Sequence, residues 1–236
     1  MNKSSIDYHE VQKFSNLSDQ WWDKEGELHT LHEINPVRLM YINEKISENF
    51  PLLDKKVIKI IDIGSGGGLA SEALARSGFD VTGIDASESN VTVAKAHAEK
   101  EGISVRYICT AAEDHQEKYD VVLSLEIIEH VADLALFMKA ACGLLKKSGI
   151  IIASTINKTA FSYLEAIVAA EYLLKWVPKN THDFSKFVKP STLSALMREN
   201  DVEMLELKGL GFDIFTRNWK LRENINVNYF ALGKRV

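Results

Sequence analysis

A β-branched run that ends in a glycine cluster constrains this chain more than any other feature. Val57-Ile58-Lys59-Ile60-Ile61-Asp62-Ile63 gives way at once to Gly64-Ser65-Gly66-Gly67-Gly68. A strand that is apolar on both faces must be covered on both by other elements, and glycines at its end allow a sharp turn that other residues resist. A helical pattern follows from Leu69 to Arg76, and the alternation then repeats. Strand-like runs occur at Asp80–Ile84, Val105–Ile108, Tyr119–Ser124 and Gly149–Ser154, with helical patterns at Glu88–Glu99 and Leu134–Lys146. Strands alternating with helices imply right-handed crossovers and a mostly parallel sheet. The fold class is α/β.

Elements outside this core are appended to it. Apolar residues at helical spacing (Val11, Phe14, Leu17, Trp21) predict an amphipathic helix within Ser4–Trp22. Asn35-Pro36 predicts the start of a second helix reaching about Phe50, with Asn as cap and Pro at the first helical position. Beyond Thr155 come a helical stretch from Ala160 to Val177, a basic irregular segment from Pro178 to Pro190, and a helix at Ser191–Glu199. Two strand-like runs, Val202–Lys208 and Asn226–Leu232, complete the chain and are expected to pair at one sheet edge as an antiparallel extension. At 236 residues, against about 150 per domain, the chain is expected to form one domain. Its parts are an N-terminal helical cap (1–50), a core (57–155), an insertion after the fifth strand (156–190) and a C-terminal helix with a strand pair (191–236).

Composition narrows the function classes. The net charge of -5 provides no general attraction to a polyanion, so no nucleic-acid partner is expected. Two cysteines, Cys109 and Cys142, make no disulfide framework and point to a reducing compartment. The polar start of the chain lacks the apolar segment of a secretory signal. No run of about 18 apolar residues predicts a membrane span.

The glycine loop and the acid that follows it suggest the ligand. Asp85 closes the second strand about 20 residues beyond the first glycine, where a carboxylate can accept hydrogen bonds from both hydroxyls of an adenosine ribose. A dinucleotide fingerprint would place Gly or Ala at Leu69 or Ser71, depending on register, so a nicotinamide cofactor is disfavoured. Asp62-Ile63-Gly64-Ser65-Gly66-Gly67-Gly68 instead resembles motif I of the class I S-adenosylmethionine methyltransferases. That resemblance implies a Rossmann-like fold and a loop, including Gly64 and Gly66, that meets the nucleoside and methionine parts of the cofactor.

At the end of the fourth strand stands Leu125-Glu126-Ile127-Ile128-Glu129-His130-Val131. If the chain is helical there, Glu126, Glu129 and His130 share one face at i, i+3 and i+4. Three readings stand: a divalent-cation site, for which Mg²⁺ would complete its shell with water and substrate oxygens; a metal-free pocket in which His130 is a base; or a structural turn. Beside an S-adenosylmethionine site, either of the first two suits methyl transfer to a hydroxyl.

Over nearly its whole length the chain resembles the ubiquinone-biosynthesis O-methyltransferases of bacteria and mitochondria. The marks are Trp21-Trp22-Asp23, Leu31-His32-Glu33-Ile34-Asn35-Pro36-Val37-Arg38, the glycine loop, Val81-Thr82-Gly83-Ile84-Asp85, Glu126–Val131, Ala170-Glu171-Tyr172, Val177-Pro178-Lys179-Asn180-Thr181-His182-Asp183 and Val227-Asn228-Tyr229. The resemblance implies that Arg38, Gly64, Asp85 and Leu125 meet the cofactor, and that Glu126, Glu129 and His130 occupy metal positions. A guanidinium fork at Arg38 suits the methionine carboxylate. Ser65 stands where many members carry Cys, and Leu125 where Met is familiar. The implied substrate is a polyprenyl catechol or the demethylated quinol, and other enzymes of the same pathway are implied partners. Two rivals are a same-fold methyltransferase for a small soluble metabolite and a catalytically silent cofactor-binding assembly subunit.

Such a substrate is largely hydrocarbon. Phe161, Leu164, Ile167, Tyr172, Leu174 and Trp176, followed by Lys175, Lys179, Lys186 and Lys189, make the 160–190 segment a candidate lid and a candidate contact with an anionic lipid surface. A helix simply buried on its own domain is the competing reading. The expected location is cytoplasmic, peripheral to the inner face of a membrane, or the mitochondrial-matrix equivalent.

Overall fold

The computed structural model describes residues 4–163, 183–213 and 216–236. Its centre is one eight-stranded sheet built from β1 (Lys59–Ile63), β2 (Asp80–Asp85), β3 (Arg106–Cys109), β4 (Tyr119–Leu125), β5 (Leu145–Ile156), β6 (Val202–Asp213), β7 (Asn218–Arg222) and β8 (Asn228–Arg235). The strand order is β3-β2-β1-β4-β5-β8-β6-β7. The first five strands pair in parallel, and β8, β6 and β7 extend the sheet antiparallel.

The described α-helices are α1 (Tyr8–Ser15), α2 (His29–Asn49), α3 (Leu69–Arg76), α4 (Glu88–Glu101), α5 (Leu134–Gly143), the short α6 (Ala160–Ser162) and α7 (Pro190–Arg198). Alternate residues of β1 divide the core between the two faces of the sheet. Ile61 and Ile63 join Phe137, Met138, Leu193 and Met197 from α5 and α7. Ile60 joins Tyr41, Ile42 and Ile46 of α2 and Leu74 of α3. Each of these side chains contributes roughly 1.5–3 kcal/mol through burial, and both faces of the parallel strands are filled, as their apolar runs require.

Several boundaries differ from expectation for tertiary reasons. The N-terminal pattern breaks into α1, capped by the Asp7 carboxylate accepting from the His9 and Glu10 amides, and a separate 3₁₀ turn at Ser18–Gln20. Asn35-Pro36 does not start α2 but lies inside it. The Asn35 side chain donates instead to the Leu69 carbonyl, and His32 Nε2 bonds the Trp21 carbonyl, so contacts with other segments hold the turns around Pro36. The chain enters β5 at Leu145, before the glycine taken as its start. The last two predicted strands do pair, but β8 lies inside the sheet between β5 and β6, and β7, which the pattern did not show, forms the edge. Most of the predicted 160–177 helix and residues 178–182 lie outside the described residues. Among the described residues no helix is long and apolar enough to cross a membrane.

From β1 the chain moves outward to β2 and β3, then returns to β4 on the other side of β1. At such a reversal the loops following β1 and β4 diverge, leaving a crevice at the carboxyl ends of the strands.

Candidate active site

The crevice is a cavity of ≈ 790 Å³, and residues of the glycine loop, the β2 end, the β4 loop and the N-terminal segment line it. That size is within the usual range for small-molecule sites.

On the β2 side the geometry is compact. Gly64 and Gly66 have φ of 73° and 53°, values that a side chain disfavours. The Gly64 and Ser65 amides donate to the Ile84 carbonyl, fastening the loop to β2. Asp85, the last residue of β2, accepts from the Gly66 amide at 2.9 Å, the Ser87 amide at 2.8 Å and the Asn90 side chain at 3.4 Å. Burial pushes its carboxyl up, and these donors oppose the shift. Asp62 is buried beneath the loop, where Ser71 donates to it at 2.6 Å. Desolvation raises its carboxyl to about 6. The acid preceding the glycines thus ties the loop to the first turn of α3.

Arg38 reaches the cavity from α2. It is buried, with one terminal nitrogen 3.3 Å from Glu126, while its Nε has no hydrogen-bond partner among the described residues. A buried guanidinium with a free donor calls for an anionic ligand. Leu125 ends β4 and also lines the cavity.

The β4 side corrects the expected helical face. Glu126 has φ of 54°, and only Ile128–His130 form a single 3₁₀ turn, so Glu126, Glu129 and His130 are not stacked at i, i+3 and i+4. Each side chain has its own partner. Glu126 accepts from Ser154 at 2.7 Å and pairs with Arg38. Glu129 is buried and accepts from Thr155 at 2.7 Å, and burial together with the Glu126 charge pushes its carboxyl well above the usual range. His130 Nδ1 is 2.9 Å from Glu10 of α1. Among the described residues no group of three or more His, Cys, Asp or Glu side chains is placed to hold a metal ion. The expected divalent-cation set is therefore not assembled, because the turn directs its members toward different strands and helices.

Glu10 is a cavity-lining acid that the sequence did not single out. It is buried on α1. Burial pushes its carboxyl up, but hydrogen bonds from His130 and Lys13 outweigh that and hold it at about 2. As an anion it accepts the Nδ1 proton, which leaves His130 Nε2 as the basic nitrogen. Phe14 meets the imidazole edge-on, with centroids 5.1 Å apart. Lys186, near the end of the insertion, is 2.8 Å from Asp7 and 3.5 Å from Glu10. The only sequence signal was position: Glu10 and Phe14 share a helix face, with nothing local to indicate His130.

Comparison with known proteins agrees with the fold and the loop. A family model described as a methyltransferase domain matches residues 36–207. Magnesium protoporphyrin IX methyltransferase from Synechocystis, solved with S-adenosylhomocysteine, superposes with a TM-score of 0.66 at 14% identity, covering 97% of this chain and 96% of that one. A methyltransferase from Clostridium acetobutylicum gives 0.64 at 14% identity, over 95% and 98%. The fold with its glycine loop thus defines an S-adenosylmethionine-dependent methyltransferase. Relatives called ubiquinone biosynthesis O-methyltransferase are 46% identical in Rickettsia felis, over 99% of this chain and 96% of the relative, and 45% in Pelagibacter ubique, over 97% and 98%. The chain belongs to the ubiquinone biosynthesis O-methyltransferase family.

Proposed function

We propose that this enzyme methylates a hydroxyl of a polyprenyl catechol, of the corresponding demethylated quinol, or of both, with His130 as the general base. The observation that carries the reading is the Glu10–His130 pair in the same cavity as the glycine loop and Asp85. S-adenosylmethionine, when bound, supplies a methyl group already activated by its sulfonium. Asp85 would accept hydrogen bonds from the ribose hydroxyls, Arg38 would clamp the methionine carboxylate, Gly64 and Gly66 would let the backbone approach, and Leu125 would pack on the cofactor. Glu10 holds His130 in the tautomer whose Nε2 takes the proton of the acceptor hydroxyl. With the cofactor bound, the oxygen so freed would be the nucleophile toward the sulfonium methyl, and S-adenosylhomocysteine would be the leaving group. Positioning of the two reactants and exclusion of water supply most of the acceleration. No step runs through a metal, since Glu126, Glu129 and His130 are committed to Arg38, Ser154, Thr155 and Glu10.

A prenylated acceptor also favours a lipid contact beside the insertion. Phe161 is 60% and Tyr163 46% exposed at its start, and Lys158 donates to the Ser185 carbonyl, bringing the two flanks of the insertion together. Exposed aromatic side chains beside lysines suit an anionic membrane surface. Phe161→Glu is expected to reduce sedimentation with anionic liposomes, and equal sedimentation overturns this part.

The central test is turnover of a short-prenyl catechol, with and without a chelator. Formation of S-adenosylhomocysteine and the methyl ether in both conditions is expected. Absence of the ether overturns the substrate assignment. Loss of turnover on chelation, restored by Mg²⁺, replaces His130 with a metal as the activating group.

A further inference from the structure

The Trp21-Trp22 pair contacts the cofactor loop directly, and no step above uses it. Trp21 is buried, and its indole lies so close over the loop that a methyl group at Gly66 or Gly67 would stand 2.3 Å from ring carbons. Its Nε1 donates to Asn90 Oδ1 at 3.0 Å. Trp22 Nε1 donates to the Gly67 carbonyl at 3.0 Å, and its ring stacks on His97 with centroids 3.4 Å apart and planes 4° from parallel. His32 holds the Trp21 carbonyl from α2. The N-terminal region therefore grips the loop at two successive glycines.

The chemistry of the Asn90 contact gives this grip a specific consequence. A primary amide can present either its oxygen or its NH₂ to a neighbour, whereas an indole N–H only donates. By taking Asn90 Oδ1, Trp21 leaves Nδ2 to face Asp85, where it donates to Oδ1. Asp85 Oδ2 meanwhile accepts from Gly66, the residue on which the Trp21 ring rests. Each oxygen of the carboxylate thus has one partner that Trp21 holds, Asn90 on Oδ1 at 3.4 Å and Gly66 on Oδ2 at 2.9 Å, while the Ser87 amide also donates to Oδ1 at 2.8 Å. Trp21, Asn90 and Asp85 all line the cavity.

We propose that Trp21 is a positioning residue for the adenosine end of the cofactor: it locks the Asn90 amide and the Gly66 backbone so that Asp85 presents its remaining lone pairs to the ribose. This rests on the assignment of Asp85 to the ribose hydroxyls. Its effect travels through hydrogen bonds to those hydroxyls, so it disappears with a ligand that lacks them.

The test is calorimetric binding of S-adenosylhomocysteine and of its 2′,3′-dideoxyribose analogue to the full-length protein and three variants. Trp21→Phe keeps a ring over the glycines but removes the donor. It is expected to weaken S-adenosylhomocysteine about tenfold, the order of one buried hydrogen bond, and to leave the analogue's affinity unchanged. Asn90→Leu, of the same branched shape, is expected to show the same selectivity and keeps the test available if Trp21→Phe does not fold. Equal weakening of both ligands, or of neither, overturns the proposal. Asp85→Ala separates the two layers. If it binds S-adenosylhomocysteine like the wild type, the ribose assignment itself is wrong. If it loses affinity while Trp21→Phe does not, only the role of Trp21 falls.

Discussion

The two sides of the cavity are built in opposite ways. Around Asp85 the partners lie close in sequence: Ser87 is two residues away, Asn90 five and Gly66 nineteen. Around the β4 loop they are remote, with Ser154 28 residues from Glu126, Thr155 26 from Glu129, and Glu10 120 from His130. The direct partners of Asp85 come from one βαβ unit, to which the N-terminal region adds Trp21 and Arg38. The acceptor side exists only once α1, β4 and β5 have docked. The direct partners of a motif on the first side can therefore be read from neighbouring sequence, whereas a motif on the second side takes its meaning from whatever packs against it.

Substitutions on the two sides should divide accordingly, and the largest effect is expected at the proposed base. His130→Ala is expected to lower kcat by about 10²–10⁴-fold, with S-adenosylhomocysteine affinity retained in calorimetry. A comparable loss of cofactor binding would show that the two sides are not separable. Next, if Asp85 holds the ribose as proposed, Asp85→Ala removes two charge-assisted hydrogen bonds at about 1.5 kcal/mol each, so the affinity for S-adenosylhomocysteine should fall about 100-fold. Unchanged affinity removes Asp85 from the cofactor side.

Glu10→Gln should act more weakly, with kcat falling about tenfold as the imidazole loses its charged orienting partner. The same variant tests the linkage. The folded-state carboxyl of Glu10 is held near 2, against an ordinary 4.5. Its contribution to stability is present above pH 4.5 and lost as pH falls toward 2. Thermal melts should show the wild type losing its advantage over Glu10→Gln across that interval, and parallel curves would contradict the pairing. The smallest effect is expected at Ser65→Cys. The Ser65 hydroxyl is buried and has no hydrogen-bond partner among the described residues. A thiol demands a partner less strongly, so stability should stay within about 1 kcal/mol of wild type or rise. A larger loss in a thermal melt would reveal a bond made by that hydroxyl.

How much was legible in the chain follows the same division. Val57–Ile63, the glycines and Asp85 were readable because strand periodicity, turn chemistry and the strand-end acid are short-range properties. Glu126, Glu129 and His130 were readable as a cluster but not as a geometry. Their helical spacing suggested a shared face, yet the backbone turns left-handed at Glu126, where the amide donates to the Ser154 carbonyl of β5. The Asn35-Pro36 pair misled for a related reason, since the Asn35 side chain serves Leu69 rather than its own helix. Glu10 carried no signal beyond its place on a helix face, because its partner His130 lies across the fold.

By itself, then, the sequence determined the α/β alternation, the covered parallel strands and the loop suited to an adenosine cofactor, because each is settled by residues within about one βαβ unit. Only the tertiary structure decided that His130 pairs with Glu10 rather than joining a three-ligand metal set, and that Trp21 rests on the glycine loop. Those outcomes depend on which elements dock and at what angle, which no local spacing encodes.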